Sequence, residues 1–214
     1  MTTGPQEIAQ WVLDQSLKGA PWSREDLAAI ENHPSLFRVL AEGLSDRFDE
    51  ELVQRYNEIF AFVLSRKMSG GPSESELLAR YGRVRMPREF SASADSVRDV
   101  YVLSRVTLGA DVAITSVMLD GLKRRFRSAT IWLCGDRKSY QLFETDTRVG
   151  FYPIFYERGA GLDRVLADRA WFKTGIVVDP DSRISQLGLL PICPEENYYF
   201  LESRAYGGET KETL

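Results

Sequence analysis

The stretch VYVLSRVTLGADVAITSVMLDGLKRRFRSATIWLCG, residues 100–135, decides the fold of this chain. A short β-branched run is followed by a glycine-containing turn, an apolar pattern of helical period and a second apolar run at 130–135. Strand, helix and strand in this order form a right-handed crossover between parallel strands. Asp111, the one acidic residue of the turn, is therefore expected at the carboxyl edge of a sheet, where such folds bind ligands.

The same alternation continues toward the C-terminus. Further strands are predicted at 149–155, 175–179 and 198–201, and further helices at 138–143, 162–172 and 182–191. Pro153 interrupts the strand at 149–155, which favours a place near an edge of the sheet. Residues 97–214 are therefore predicted to form an α/β domain with a Rossmann-like parallel sheet.

Residues 1–90 are predicted to form an all-helical region that precedes this domain. Apolar residues recur with the 3.6-residue period, and Ser23 followed by Asp26 resembles a helix start. The stretch at 83–96 has the composition of an irregular linker. The aromatic residues of the region are expected to form its own core; they include Trp11, Phe37, Phe48, Tyr56, Phe60 and Phe62.

Composition excludes several classes of function. The 214 residues carry a net charge of −4, which gives no reason to expect a nucleic-acid partner. Cys134 and Cys193 form no CxxC motif, which disfavours a zinc site or a disulfide framework. His33 is the single histidine, which disfavours Ser–His catalysis. With no secretory signal and no apolar run near ~20 residues, we expect a cytoplasmic protein. Peripheral contact of the basic helix end at 123–125 with the inner membrane is a further hypothesis.

The segment TLGADVAITSVML, residues 107–119, resembles the opening of the heptosyltransferase-like glycosyltransferases, glycosyltransferase family 9. Thr107, Leu108, Gly109 and Asp111 match the family's turn of the form Ser/Thr-Leu-Gly-Asp, and Ala110 is a one-residue insertion. The likeness in the order of elements extends over roughly residues 98–208. It implies that Asp111 is the general base that activates the acceptor hydroxyl, and that Thr107 and Gly109 belong to the substrate site. From the residues alone, a helix N-cap is the favoured interpretation of Asp111, and only the resemblance favours the catalytic role.

Two further groups of polar residues follow predicted strands. In VVDPDSRISQLG, residues 177–188, Asp179 and Asp181 are suited to bind sugar hydroxyls, and Arg183 to bind a phosphate or carboxylate; Gln186 completes the group. An Asp-Pro turn followed by a helix cap explains the same carboxylates. Arg204, in ESRAYGG after the last strand, is a candidate for the acceptor pocket or part of a solvated turn.

The resemblance implies one half of a GT-B architecture. The reaction would be an inverting, metal-independent sugar transfer without a cofactor, from a nucleotide sugar to an envelope glycan or lipid-linked saccharide of the lipopolysaccharide type. The donor would bind mainly to a further C-terminal domain. A helix is predicted to open at 210–213, so we expect the domain to be incomplete and this chain alone to be inactive. The alternatives are a non-catalytic α/β binding or interaction module and another Rossmann-like nucleotide-binding protein.

Overall fold

The structure, a computed structural model, describes residues 4–154 and 172–204. The described residues divide into two compact units, each treated separately below. The helical unit holds residues 4–79 and 203–204, and the sheet unit holds 80–154 and 172–202. This division falls earlier in the chain than the predicted one, which separated residues 1–90 from 97–214. The predicted helix at 162–172 lies, except for its last residue, outside the described part of the chain.

The helical unit follows the predicted apolar periodicity. Its second helix begins at the predicted place, where the Asp26 N–H donates to Ser23 Oγ over 3.2 Å and the Asp26 carboxylate accepts the Ser23 N–H over 3.1 Å. No helix in the described residues is both long and apolar enough to cross a membrane. The elements are α1 (Pro5–Leu17), α2 (Arg24–Ile30), a π-helical turn (Leu36–Ala41) that continues into α3 (Glu42–Ser45), α4 (Glu50–Lys67) and α5 (Glu74–Val84), whose second half belongs to the sheet unit.

Aromatic rings on α4 form the centre of the helical unit. Tyr56 and Phe60 are fully buried and stack with their centroids 4.2 Å apart, and Phe37 packs on Phe60 at 5.6 Å. Phe62 is also buried, whereas Trp11 is 43% exposed. The predicted aromatic core is therefore confirmed for the rings around α4, whereas Trp11 and the half-buried Phe48 stand outside it.

The sheet unit contains five strands, all parallel, in the order β3-β2-β1-β4-β5. Val100 on the central strand lies opposite Ile131 on one side and Ile176 on the other. The predicted parallel sheet is thus confirmed, and Pro153 ends an edge strand. The strands are β1 (Asp99–Leu103), β2 (Thr130–Gly135), β3 (Val149–Pro153), β4 (Ile176–Asp179) and β5 (Tyr198–Phe200).

One continuous helix connects β1 to β2. It consists of α6 (Leu108–Ala110), a π-helical turn (Asp111–Thr115) and α7 (Ser116–Arg125). Leu119 and Leu122 of α7 join the buried core over the sheet. A short helix, α8 (Arg137–Gln141), lies between β2 and β3.

The prediction of a helix at 182–191 is wrong. The structure has only a single 3-10 turn there, Arg183–Ser185. Gln186 and Leu187 follow with φ of 52° and 53°, the left-handed region. Because such residues cannot continue a right-handed helix, the rest of the segment is a loop.

Candidate functional site

The two acidic motifs of the sequence lie at the same edge of the sheet. The chain runs from β1 through β2 to β3 on one side, and then places β4 and β5 on the other side of β1. The loops after β1 and β4 therefore flank the switch point of the sheet, the usual ligand site of open parallel folds. Ser182 Oγ donates to the Ser104 carbonyl over 2.5 Å, and Arg105 Nη1 donates to the Pro180 carbonyl over 2.8 Å. These bonds join the two loops directly.

Asp111 is completely buried at this point. Its Oδ2 accepts the Ser104 hydroxyl at 2.7 Å, and its Oδ1 accepts both the Arg105 N–H and the Thr115 hydroxyl at 2.8 Å. The carboxylate thus fastens the end of β1 to the helix that follows it. It is not the N-cap, since that position is held by Thr107. A general base must come within hydrogen-bond reach of the acceptor proton, and the buried carboxylate does not offer that reach in this conformation.

The π-helical turn explains how Asp111 comes to point inward. Ser116 N–H bonds to the Asp111 carbonyl, five residues back, rather than four. A helix absorbs one additional residue through such a turn. The connection is also strained, because the β-branched Val106 has φ of 65°. Its N–H is held by Ser104 Oγ at 2.9 Å.

The start of the helix forms the accessible part of this edge. Thr107, Leu108 and Gly109 are exposed, and no side chain of the described residues caps the first turn. The first N–H groups of a helix have no intrahelical acceptor, so an uncapped start favours anionic or hydroxyl-bearing ligands. A Cβ on Gly109 would meet nothing within 4 Å, so the backbone there is open to close approach. Of the predicted substrate-binding residues, Thr107 and Gly109 are accessible.

The loop after β4 is buried throughout, in contrast to the prediction. Asp179 accepts the Ser182 N–H at 2.7 Å and the Tyr198 hydroxyl. Burial raises the pKa of Asp179 to about 6, although these donors act in the opposite direction. The four residues predicted to bind substrate here are each at most 2% exposed; they are Asp179, Asp181, Arg183 and Gln186. While the loop keeps this conformation, none of them can contact a sugar.

Arg204 belongs to the helical unit. Its side chain is buried, and its Nε lies 3.7 Å from Asp46 Oδ1 in the same unit. The structure therefore gives Arg204 an ionic contact inside the protein, where the sequence predicted an acceptor-binding role or a solvated turn.

Sequence reasoning missed the partners that hold the two carboxylates. Thr115 was detectable, because the i to i+4 spacing places it on the same helix face as Asp111. Ser104 and Arg105 precede the turn, where nothing in the sequence distinguishes them from ordinary strand-end residues. Tyr198 reaches Asp179 only through the parallel pairing of β4 with β5, which leaves no local signal.

Comparisons with protein-family models, with curated proteins and with solved structures find no match for this chain. Within the described ranges, no three His, Cys, Asp or Glu side chains come together in a way that would hold a metal ion. The functional assignment therefore depends on the geometry of the switch point and on the resemblance of the segment at 107–119.

Proposed function

We propose that this chain is the acceptor-side, Rossmann-like part of a heptosyltransferase-like glycosyltransferase. The reaction is the transfer of a sugar from a nucleotide-sugar donor to an envelope glycan or lipid-linked acceptor. The observation that carries the proposal is the position of the TLGAD turn. It follows the central strand at the switch point of a parallel sheet, and the loop with Asp179 is bonded to it through Ser182 and Ser104.

Within this proposal the exposed helix start binds substrate. Thr107 offers a hydroxyl, and the uncapped N–H groups of the first turn stabilise partial negative charge on a bound oxygen. Asp111 acts first as a positioning residue, because its three hydrogen bonds fix the connection that presents Thr107 and Gly109. The base role that the resemblance implies for Asp111 requires the carboxylate to leave these bonds.

A non-catalytic binding module is the second candidate. Its specific support is the burial of Asp111, Asp179 and Asp181, which leaves no carboxylate of the two motifs accessible at the switch point. The same fold and the same exposed helix start would then bind a ligand without reacting with it.

Binding is tested first. The chain is titrated with a panel of UDP-, GDP- and ADP-sugars and with oligosaccharides, and backbone amide shifts are followed by NMR. The proposal expects perturbations at 107–110. Shifts confined to other regions, or preferential binding of a nicotinamide dinucleotide, would contradict it.

The role of Asp111 is tested with two variants, Asp111→Asn and Thr115→Val. Both disturb the same hydrogen-bond cluster, but only the first removes the carboxylate. If Asp111 is a base, Asp111→Asn lowers sugar transfer by ~10²–10⁴-fold, whereas Thr115→Val, which keeps the carboxylate, retains most of the transfer rate. If Asp111 only positions the turn, the two variants lose transfer in proportion to their loss of stability. Because this chain alone is expected to be inactive, transfer is measured in the full-length protein, where ligand binding without transfer to any acceptor would favour the non-catalytic module.

A further inference from the structure

An apolar pocket lies on one face of the sheet unit, and its lining includes none of the switch-point residues named above. One wall is the α7 surface around Met118 and Leu122, and the floor is formed by Val178 and Tyr199 of the sheet. The opposite wall comes from the segment after α5, through Met86 and Phe90. We call it the Gly121 pocket, after the α7 residue in its wall. All of its lining belongs to the sheet unit.

The size and lining of the Gly121 pocket suit a small aliphatic group. Its volume is about 300 Å³, at the lower end of the roughly 300–1,000 Å³ typical of small-molecule sites. Apolar side chains make up most of the wall. Met86 is 64% exposed and Leu201 46% exposed. Exposing apolar side chains to water is unfavourable in free energy, and an alkyl chain bound in the neighbouring cavity would cover them.

Gly121 keeps this pocket open. It lies inside α7, where glycine costs about 1 kcal/mol relative to alanine. A Cβ at this position would meet no atom within 4 Å, so neither packing nor backbone conformation requires a glycine there. A larger side chain would instead occupy the space beside Leu122.

The charge at the rim is positive. Arg88 and Arg125 both line the pocket, and its described lining contains no carboxylate. Arg88 donates to the Glu195 carbonyl at 2.6 Å and lies over the Tyr199 ring. The neighbours of Arg125 are neutralised, since Lys123 pairs with Asp146 and Arg124 with Asp120.

Arg125 itself has a different environment. Its guanidinium lies 5.4 Å from the centre of the Phe126 ring, and no carboxylate of the described residues pairs with it. A cation without an anionic partner, at the rim of an apolar pocket, is complementary to the head group of an amphipathic anion.

We propose that the Gly121 pocket binds the alkyl chain of an amphipathic anion, with the carboxylate or phosphate head group paired to Arg125. The alkyl chain lies between α7 and Phe90 and removes Met86 from water. This site is independent of the sugar-transfer proposal, because it uses none of the residues at the switch point.

The test measures binding of decanoate and decyl phosphate to the full chain by isothermal titration calorimetry, below the concentration at which either forms micelles. Decanol is the uncharged control. Gly121→Leu fills the pocket, and Gly121→Ala is its matched control at the same position. We expect Gly121→Leu to abolish binding and Gly121→Ala to weaken it little. Arg125→Gln should weaken binding of the anions about three- to tenfold and leave decanol unchanged.

The two anions distinguish a fatty acid from a lipid phosphate as the source of the head group. Circular dichroism confirms that each variant is folded, which is expected because leucine and alanine both favour a helix over glycine. The proposal is overturned if decanol binds as tightly as the anions, if Gly121→Leu binds as well as Gly121→Ala, or if none of the amphiphiles binds. Self-association of the chain that Gly121→Leu removes would also overturn it, since a second copy would then be the occupant.

Discussion

Asp179 is a carboxyl group whose ionisation the folded chain opposes. It is fully buried, and desolvation raises its pKa from 3.8 to about 6. The same burial, together with the charge of Asp179, raises the pKa of the Tyr198 hydroxyl that donates to it. Between the unfolded and the folded pKa of Asp179, the folded protein therefore holds a proton that the unfolded chain has lost.

Asp179 should make the protein less stable as the pH rises. Because the folded state binds the additional proton, its favourable contribution is complete below the unfolded pKa and is lost as the pH passes through the folded pKa. We expect the free energy of unfolding to fall by on the order of 3 kcal/mol from this group between roughly pH 4 and 6. Asp179→Asn should remove that part of the pH dependence. Urea unfolding at a series of pH values measures it.

Asp95 provides the matched control for this measurement. It is exposed, so Asp95→Asn should leave the pH dependence of stability as it is in the unmodified chain. A pH dependence that Asp179→Asn does not alter would show that Asp179 ionises in the folded state as it does in the unfolded chain.

Sequence patterns located the polar residues of the site better than they described their environment. The spacing after each strand correctly placed Asp111 and Asp179 at one edge of the sheet. The prediction of accessible ligands failed because DPDSR has the composition of an exposed turn, whereas Tyr198 of β5 donates to Asp179 and the Ser104 carbonyl after β1 accepts the Ser182 hydroxyl inside the protein. Such partners come from other elements and leave no periodic signal.

At the level of elements, the pairing of the edge strand β3 with β2 requires a glycine at position 150. Trp132 of β2 lies over Gly150 of β3, and a Cβ on Gly150 would come within 2.5 Å of the indole ring. The ring has little freedom to move away, since Trp132 Nε1 donates to Asp99 Oδ1 at 2.8 Å. The hydrogen bond and the glycine thus fix how β3 meets β2.

Gly150→Ala should therefore destabilise the protein, by about 1–3 kcal/mol, as overpacking at a rigid neighbour does. Gly121→Ala, in the open wall of α7, should stabilise it by about 1 kcal/mol. Urea unfolding followed by circular dichroism compares the two. If Gly150→Ala and the unmodified chain have the same free energy of unfolding, the Trp132 ring moves aside without destabilising the protein.

The elements themselves were largely predictable. The β-branched runs at 100–104 and 130–135 became central strands because burial on both faces requires continuous apolar sequence. The segment at 182–191 was not predictable in the same way. Its apolar residues fit a helical period, but Gln186 and Leu187 adopt left-handed φ values, and neither position carries the glycine or asparagine that would signal this in the sequence.

At the level of the whole molecule, the irregular segment at 83–96 is part of the core of the sheet unit. Phe90 packs on Phe126 at 5.2 Å and on Tyr199 at 4.3 Å between ring centroids. Ser91 N–H also donates to the Tyr199 hydroxyl at 3.1 Å. Apart from Arg83 and Val84, which end α5, the segment has no helix or strand, as the sequence predicts. Composition alone does not reveal that such a segment packs against a sheet.

Phe90→Ala should lower the free energy of unfolding by about 2 kcal/mol or more, although this residue lies outside every helix and strand. The reason is the loss of two aromatic contacts together with the apolar surface they bury. Glu89→Ala, at the exposed neighbouring position, is the control and should have little effect. If both variants unfold at the same urea concentration, the segment at 83–96 does not stabilise the sheet unit. The predicted start of the domain at residue 97 would then be the better boundary.

The order of the strands has a consequence for how the protein is made. β1 stands in the middle of the sheet but is the first of its five described strands to leave the ribosome, and β4, which covers its second edge, follows only after β3. Pairing over a long stretch of chain is slow, because the entropy of closing the loop is lost before any contact is gained. The half-finished sheet therefore presents an unpaired edge of β1 to other nascent chains throughout this interval. Translation speed between β3 and β4 sets how long a chaperone must protect that edge.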